Sequence, residues 1–136
     1  VVGIFGIAWM GSTFYTGNEE YLNKALSGMI ASAPFLFAVA LFIMSIMLFS
    51  QAATVSTLYP VGVALGINPM LLVAMFPACN GYFFLPNYPT EVAAIDFDRT
   101  GTTHVGKFVI NHSFQLPGFV TTIVSIAVAA LIIQFV

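Results

Sequence analysis

The sequence predicts an all-α integral membrane fold with a re-entrant helical hairpin and a broken transmembrane helix. Three observations predict it. Of 136 residues, 60% are apolar and 6% are charged, where a soluble domain carries about 25% charged residues. The charged side chains fall in two clusters, 19–24 and 91–107, so residues 25–90 and 108–136 carry none. The long apolar runs are interrupted by proline, asparagine and glycine instead of by charge. These features exclude an ordinary soluble globule and a disordered tail. A net charge of −2 offers no basic footprint for nucleic acid. The single cysteine, Cys79, cannot form an internal disulfide. The opening Val1-Val2 lies inside a hydrophobic stretch without a basic leader or a small-residue cleavage site. The chain is therefore expected to be a piece of a larger membrane protein, cut within a helix.

The elements follow in order. Residues 1–17 read as the end of a spanning helix, closed by Gly17-Asn18. Asn18 is placed to cap the next helix, with Glu19 and Glu20 suited to its N-terminal dipole. Across 18–33, Tyr21, Leu22, Ala25, Leu26, Met29 and Ile30 recur at helical spacing opposite a polar face, which predicts an interfacial amphipathic helix. Pro34 opens an apolar run, Phe35 to Phe49. It is too short to cross a bilayer core of about 30 Å at about 1.5 Å per residue. A polar break at Ser50-Gln51 and a second short run, 52–66, make residues 34–67 a re-entrant hairpin. Such a tip is tolerated only where protein or a wet cavity surrounds it.

Residues 69–95 read as a broken helix. Pro69 starts a run from Met70 to Cys79, which breaks at Asn80-Gly81 and again at Pro86-Asn87-Tyr88-Pro89. Thr90 and Glu91 then read as the cap and first turn of a short helix to Ile95. Residues 96–107 form a polar loop with Gly101 as a turn. Residues 108–136 are the last spanning helix, with a kink expected at Pro117-Gly118. The basic residues Arg99 and Lys107 place 96–107 in the cytoplasm. The first segment then exits outward, the hairpin dips in from outside, 69–95 crosses inward and 108–136 crosses outward.

Interrupted membrane segments point to a transporter binding site, because half-helix N-termini hold an anion without a buried cation. Four strings carry a resemblance: IFGIAWMGSTF (4–14), SQAATVSTLYPVGVALGINP (50–69), ACNGYFFLPNYPTEVAAIDFDRTGTT (78–103) and GKFVINHSFQLPG (106–118). Together they resemble the C-terminal portion of the anaerobic four-carbon dicarboxylate transporters, the Dcu family. More distantly, SQAAT and FFLPNYPTEVAA are similar to the hairpin tip and broken-helix loop of sodium-coupled dicarboxylate and citrate transporters. The tip departs from that sodium-coupled pattern, since Gln51-Ala52 stand where it has Asn-Thr.

The resemblance implies uptake, efflux or exchange of fumarate, succinate, malate and aspartate across a bacterial inner membrane in anaerobic metabolism, by a multi-pass protein. The fragment would then be most of the second inverted repeat of an ion-transporter-superfamily-like fold. Its expected partners are the dicarboxylate, the lipid bilayer, the N-terminal portion of the same transporter and further copies in a homo-oligomer. No cofactor, metal or nucleic acid is expected, and no enzymatic activity.

The expected site joins the tip, Ser50, Gln51, Ala52, Ala53 and Thr54, to the broken loop, Asn80, Gly81, Pro86, Asn87, Tyr88 and Thr90. One helix N-terminus near Ala53 and another near Thr90 would each take a carboxylate. The side chains of Ser50, Gln51, Thr54, Asn87 and Thr90 would add donors. Small residues at 52, 53 and 81 would let backbone approach the ligand. Other polar residues have plainer roles. Asp96, Asp98, Arg99 and His104 fit a solvated loop, with helix-end anchoring or coupling as the alternative. Glu91 fits a capping role at a helix start, with a proton-linked role as the alternative. His112, inside the last span with Asn111, fits an interhelical hydrogen bond, with a functional role as the alternative. Trp9, Tyr15, Tyr59 and Tyr82 fit interface or packing positions.

Three other readings compete. A transporter of another organic anion in the same superfamily shares every feature above. A haem-binding membrane anchor would need His104 and His112 as axial ligands, but they straddle a span boundary. An intramembrane hydrolase would need a base beside Ser50, and none is near in sequence.

Overall fold

The structure, a computed structural model, describes residues 9, 13–14, 16–21, 24–25, 33, 35–85, 88–105 and 111–135. Its elements in chain order are α1 (Leu36–Leu48), α2 (Gln51–Ala64), α3 (Pro69–Met75), a 3-10 helix (Phe76–Phe83), α4 (Pro89–Phe97) and α5 (Gln115–Ile132). Among the described residues the only extended pairing is an isolated antiparallel bridge between Val105 and His112.

Local chemistry sets most helix ends. α1 stops at Phe49, which takes a left-handed conformation, φ +50° and ψ +25°, and donates its N–H to Ser45 O. Ser50 follows in extended conformation as the N-cap of α2, so two residues reverse the chain. The Ser50 hydroxyl accepts from Ala53 N at 3.2 Å, the bond that makes serine a good cap. At the start of α3 the Asn68 side chain accepts from Met70 N at 2.8 Å, with Pro69 at the first helical position. Within α2, Pro60 has no N–H for the carbonyl four residues earlier, that of Ser56.

Several boundaries differ from the sequence expectation. The run from Met70 to Cys79 is not one α-helix. It tightens after Met75 because Pro77 cannot donate to Val73 O, and Phe76 N takes that carbonyl instead. α4 begins at Pro89 with Tyr88 as N-cap, not at a Thr90 cap, and runs to Phe97 instead of Ile95. Proline fits the first helical position because its φ is already helical and its missing N–H would be unpaired there. The same logic removes the kink expected in α5. Pro117 lies in that helix's first turn, where no intrahelical bond is lost. Asn111 and His112 precede α5 instead of lying inside the span. Asn18 is helical, as are residues 16–21, and its Nδ2 donates to Phe14 O at 2.8 Å, so it is inside a helix and not at its cap. Most of the segments expected at 1–17 and 18–33, and residues 106–110, lie outside the described residues.

The core sits where α1 meets α2, α3 and the 3-10 helix. Phe37, Leu41 and Met44 of α1 pack with Leu58, Leu72, Met75, Ala78 and Cys79. Phe42, Phe83, Phe84 and Phe119 form a second aromatic cluster that holds α5 on the 3-10 helix, with ring centroids 5.3–6.0 Å apart. In lipid such contacts are held by close packing, since the surrounding tails are as apolar as leucine. Large apolar side chains such as Ile123, Val124 and Leu131 of α5 point outward. Among the described residues α5 alone is long and apolar enough to cross a membrane; its 18 residues reach about 27 Å. α1, with 13 residues, reaches only about 20 Å.

Candidate functional site

The two interruptions meet. The Gln51 side-chain amide, in the first turn of α2, donates to the Asn80 side-chain oxygen. Asn80 is the residue with non-helical backbone, φ −96° and ψ +20°, inside the 3-10 helix. Its oxygen also accepts from the Tyr82 hydroxyl at 3.0 Å. Tyr82 stacks on Tyr88 with centroids 4.5 Å apart, and Tyr88 stacks on Phe49 at 6.5 Å. A continuous set of contacts therefore runs from the α1–α2 turn, through the 3-10 helix, to the start of α4.

A second clamp holds this junction from behind. Ser45 of α1 is completely buried, and its hydroxyl accepts from Gly81 N at 2.8 Å while donating to Phe42 O at 2.8 Å. Gly81 has no room for a side chain. A Cβ there would stand 2.5 Å from Phe42 O and 2.6 Å from Ser45 Oγ.

The expected residues divide by what they touch. Ser50, Gln51, Asn80, Gly81 and Tyr88 lie in the junction. The Ser50 hydroxyl is committed to capping. Thr54 is fully buried, and its hydroxyl donates to Ser50 O at 2.8 Å, so it supports the turn. Ala52 is exposed and Ala53 half-buried. Thr90 is exposed in the first turn of α4. Pro86 and Asn87 lie outside the described residues. Two junction residues escaped the sequence reading of the site. Ser45 is the only polar residue of α1, a signal that was present, whereas Tyr82 looks like any membrane tyrosine.

The junction presents backbone donors. Ala53 N and Thr54 N are taken by Ser50 Oγ and Ser50 O. Among the described residues nothing accepts from the amides of Gln51 and Ala52, the ordinary state of a helix start. At α4, Pro89 has no N–H, and the amides of Glu91 and Val92 both go to Tyr88 O. Only Thr90 N has no acceptor among the described residues there. The second helix start is thus the weaker donor set. Elsewhere, an open groove of about 240 Å³ between α1 and α5, lined by Ala38, Phe42, Phe119 and Ile126, is nearly all apolar.

Three other polar residues, His112, His104 and Asp98, have structural partners. His112 is buried, with Nε2 3.3 Å from Phe84 O, and so ties the end of the 3-10 region to the segment before α5. His104 Nδ1 lies 3.0 Å from Ser113 Oγ. Both imidazoles therefore engage protein atoms. Asp98 organises its loop, accepting from Thr100 N at 2.8 Å, Thr103 N at 2.7 Å and Thr103 Oγ1 at 2.8 Å. These bonds, those of Thr100 foremost, hold its carboxyl well below the usual carboxylate range.

Residues 1–136 match the family described as anaerobic C4-dicarboxylate membrane transporters. The chain is 45% identical over 125 residues to the anaerobic C4-dicarboxylate transporter DcuB of Escherichia coli O6:H1, covering 92% of this chain and 28% of that protein. It is 47% identical over 115 residues to the C4-dicarboxylate transporter DcuA of Escherichia coli K12, covering 85% and 27%. To DcuA of Wolinella succinogenes it is 39% identical over 129 residues, covering 95% and 30%. It thus spans less than a third of the length of these relatives. No solved structure matches. An almost charge-free chain with two helix breaks brought together, and a family match along its whole length, belongs to the anaerobic C4-dicarboxylate membrane transporter family.

Proposed function

We propose that this chain is part of a secondary transporter that moves four-carbon dicarboxylates, such as fumarate, succinate, malate and aspartate, across a bacterial inner membrane by uptake, efflux or exchange. The observation that carries this reading is the junction at Gln51–Asn80, where a helix start with unused amides lies against a break in a second apolar element. In a low-dielectric surround, oriented amides stabilise an anion without a buried Lys or Arg. One carboxylate of the substrate sits at the Gln51 and Ala52 amides, and the other lies toward Tyr88 and Thr90. Because α4 offers one amide where α2 offers two, the far carboxylate draws further donors from the N-terminal portion of the full protein. That portion supplies the other inverted repeat, while α1 and α2 form a re-entrant hairpin in a multi-pass, membrane-embedded, non-enzymatic protein. Family membership and the shortness of α1 support this arrangement.

Counterflow of labelled fumarate into vesicles carrying the full-length transporter tests the proposal. Gln51→Ala and Asn80→Ala are expected to weaken it. Wild-type counterflow in both variants would refute the site.

A further inference from the structure

Glu91 is the one carboxylate among the described residues that is nine-tenths buried. It stands in the first turn of α4, and its Oε2 has no hydrogen-bond partner among the described residues. A plain capping role would put that oxygen on an amide of the first turn. The Glu91 backbone N–H donates to Tyr88 O at 3.0 Å, and the Tyr88 ring stacks on Tyr82. Tyr82 in turn bonds to Asn80, so Glu91 stands within one helical turn of the junction. The titratable groups on the neighbouring elements are Tyr82 and Cys79 on the 3-10 helix and Tyr88 ahead of α4. His112 reaches the same region at Phe84 O. No Lys or Arg occurs between Lys24 and Arg99 in the sequence, so neither α1, α2, α3 nor the 3-10 helix brings a cation to it.

A dicarboxylate entering this junction meets helix amides and, within one turn of Tyr88, a buried acid. Like charges at close range in a poorly solvated site disfavour double ionisation. We infer that Glu91 is the proton-binding group of the site, taking up a proton as the dicarboxylate binds and losing it as the dicarboxylate leaves. The assignment rests on the dicarboxylate-transport reading above. The proton comes from water on the side of entry, converts the carboxylate to the acid, and returns to water on the side of release. No bond within the substrate changes. The acid form adds an O–H donor, which a substrate oxygen accepts.

The test uses the purified full-length transporter in weakly buffered solution with a pH-indicator dye, and succinate as the probe. Calorimetry measures binding in parallel. The wild type is expected to take up about one proton per succinate bound, and Glu91→Gln to bind succinate without proton uptake. Binding by the wild type with no proton uptake overturns the assignment and leaves the transport reading standing. Unchanged uptake in Glu91→Gln also overturns it, as does loss of binding in that variant, because glutamine mimics the protonated acid. Absence of succinate binding by the wild type overturns the transport reading and the assignment together. If Glu91→Gln does not survive purification, Glu91→Asp decides. Retained uptake at a displaced pH supports the assignment, and uptake with the wild-type pH profile overturns it.

Discussion

Gln51 and Asn80 are 29 positions apart in sequence and share a side-chain hydrogen bond. This contact joins the turn between α1 and α2 to the irregular point of the 3-10 helix. Each residue alone marks a local break. Together they make one junction, with the unused amides of α2 at its edge.

The pair is expected to act as a unit. Gln51→Ala and Asn80→Ala each lower fumarate counterflow by about tenfold, in line with about 1–3 kcal/mol for stranding a hydrogen-bond partner out of water, since both side chains are half-buried. The double variant loses little more, because the second substitution has nothing left to remove. Full additivity would show that the two side chains act independently.

Gly81→Ala is expected to lower the melting temperature of the full-length protein in detergent. Its methyl group meets the Phe42 carbonyl and the Ser45 hydroxyl, and overpacking of this kind costs about 1–3 kcal/mol. Ser45→Ala leaves the buried Gly81 N–H without its acceptor and costs a similar amount. An unchanged melting temperature in both would mean that α1 and the 3-10 helix do not clamp there.

The contact of α5 with the 3-10 helix depends on Gly118. A Cβ at that position would run into the Phe83 ring. Gly118→Ala is therefore expected to destabilise the protein, and Phe83→Leu added to it to restore part of the loss. Thermal unfolding of the single and double variants measures this. Independent effects would place the two residues apart.

Asp98 makes a pH prediction. Its carboxyl is held below the usual range by the hydroxyl and amide of Thr100 and the amide and hydroxyl of Thr103. A lowered folded value means that its contribution is fully present above the ordinary carboxylate value of about pH 4 and fades as pH falls through the folded one. Hydrogen exchange at the Thr100 and Thr103 amides, corrected for intrinsic rate, is expected to stay protected from neutral pH down to that region. Asp98→Ala removes the protection throughout. Protection already lost near pH 6 would contradict the loop's hydrogen bonding.

The local breaks were legible because they have local causes. A proline lacks an N–H wherever it stands, and Ser50 or Asn68 caps a helix by bonding two or three residues ahead. At three places the same local logic has an outcome other than the one expected. Pro77 lies inside the run from Met70 to Cys79, which therefore tightens to a 3-10 helix. Pro117 makes no kink because α5 starts at Gln115. Thr90 is not a cap because Pro89 begins α4.

By itself the sequence determined that the chain is helical, nearly uncharged through its long apolar runs, interrupted near residues 50 and 80–89, and a relative of dicarboxylate carriers. Only the tertiary structure decided that Asn80 faces Gln51, that Ser45 receives the Gly81 amide, that Thr54 is spent on its own turn, and that Glu91 is buried with an unpartnered oxygen. Those pairings depend on how helices settle against one another in depth and rotation. Packing across the whole fold sets that register, and no run of neighbouring residues records it.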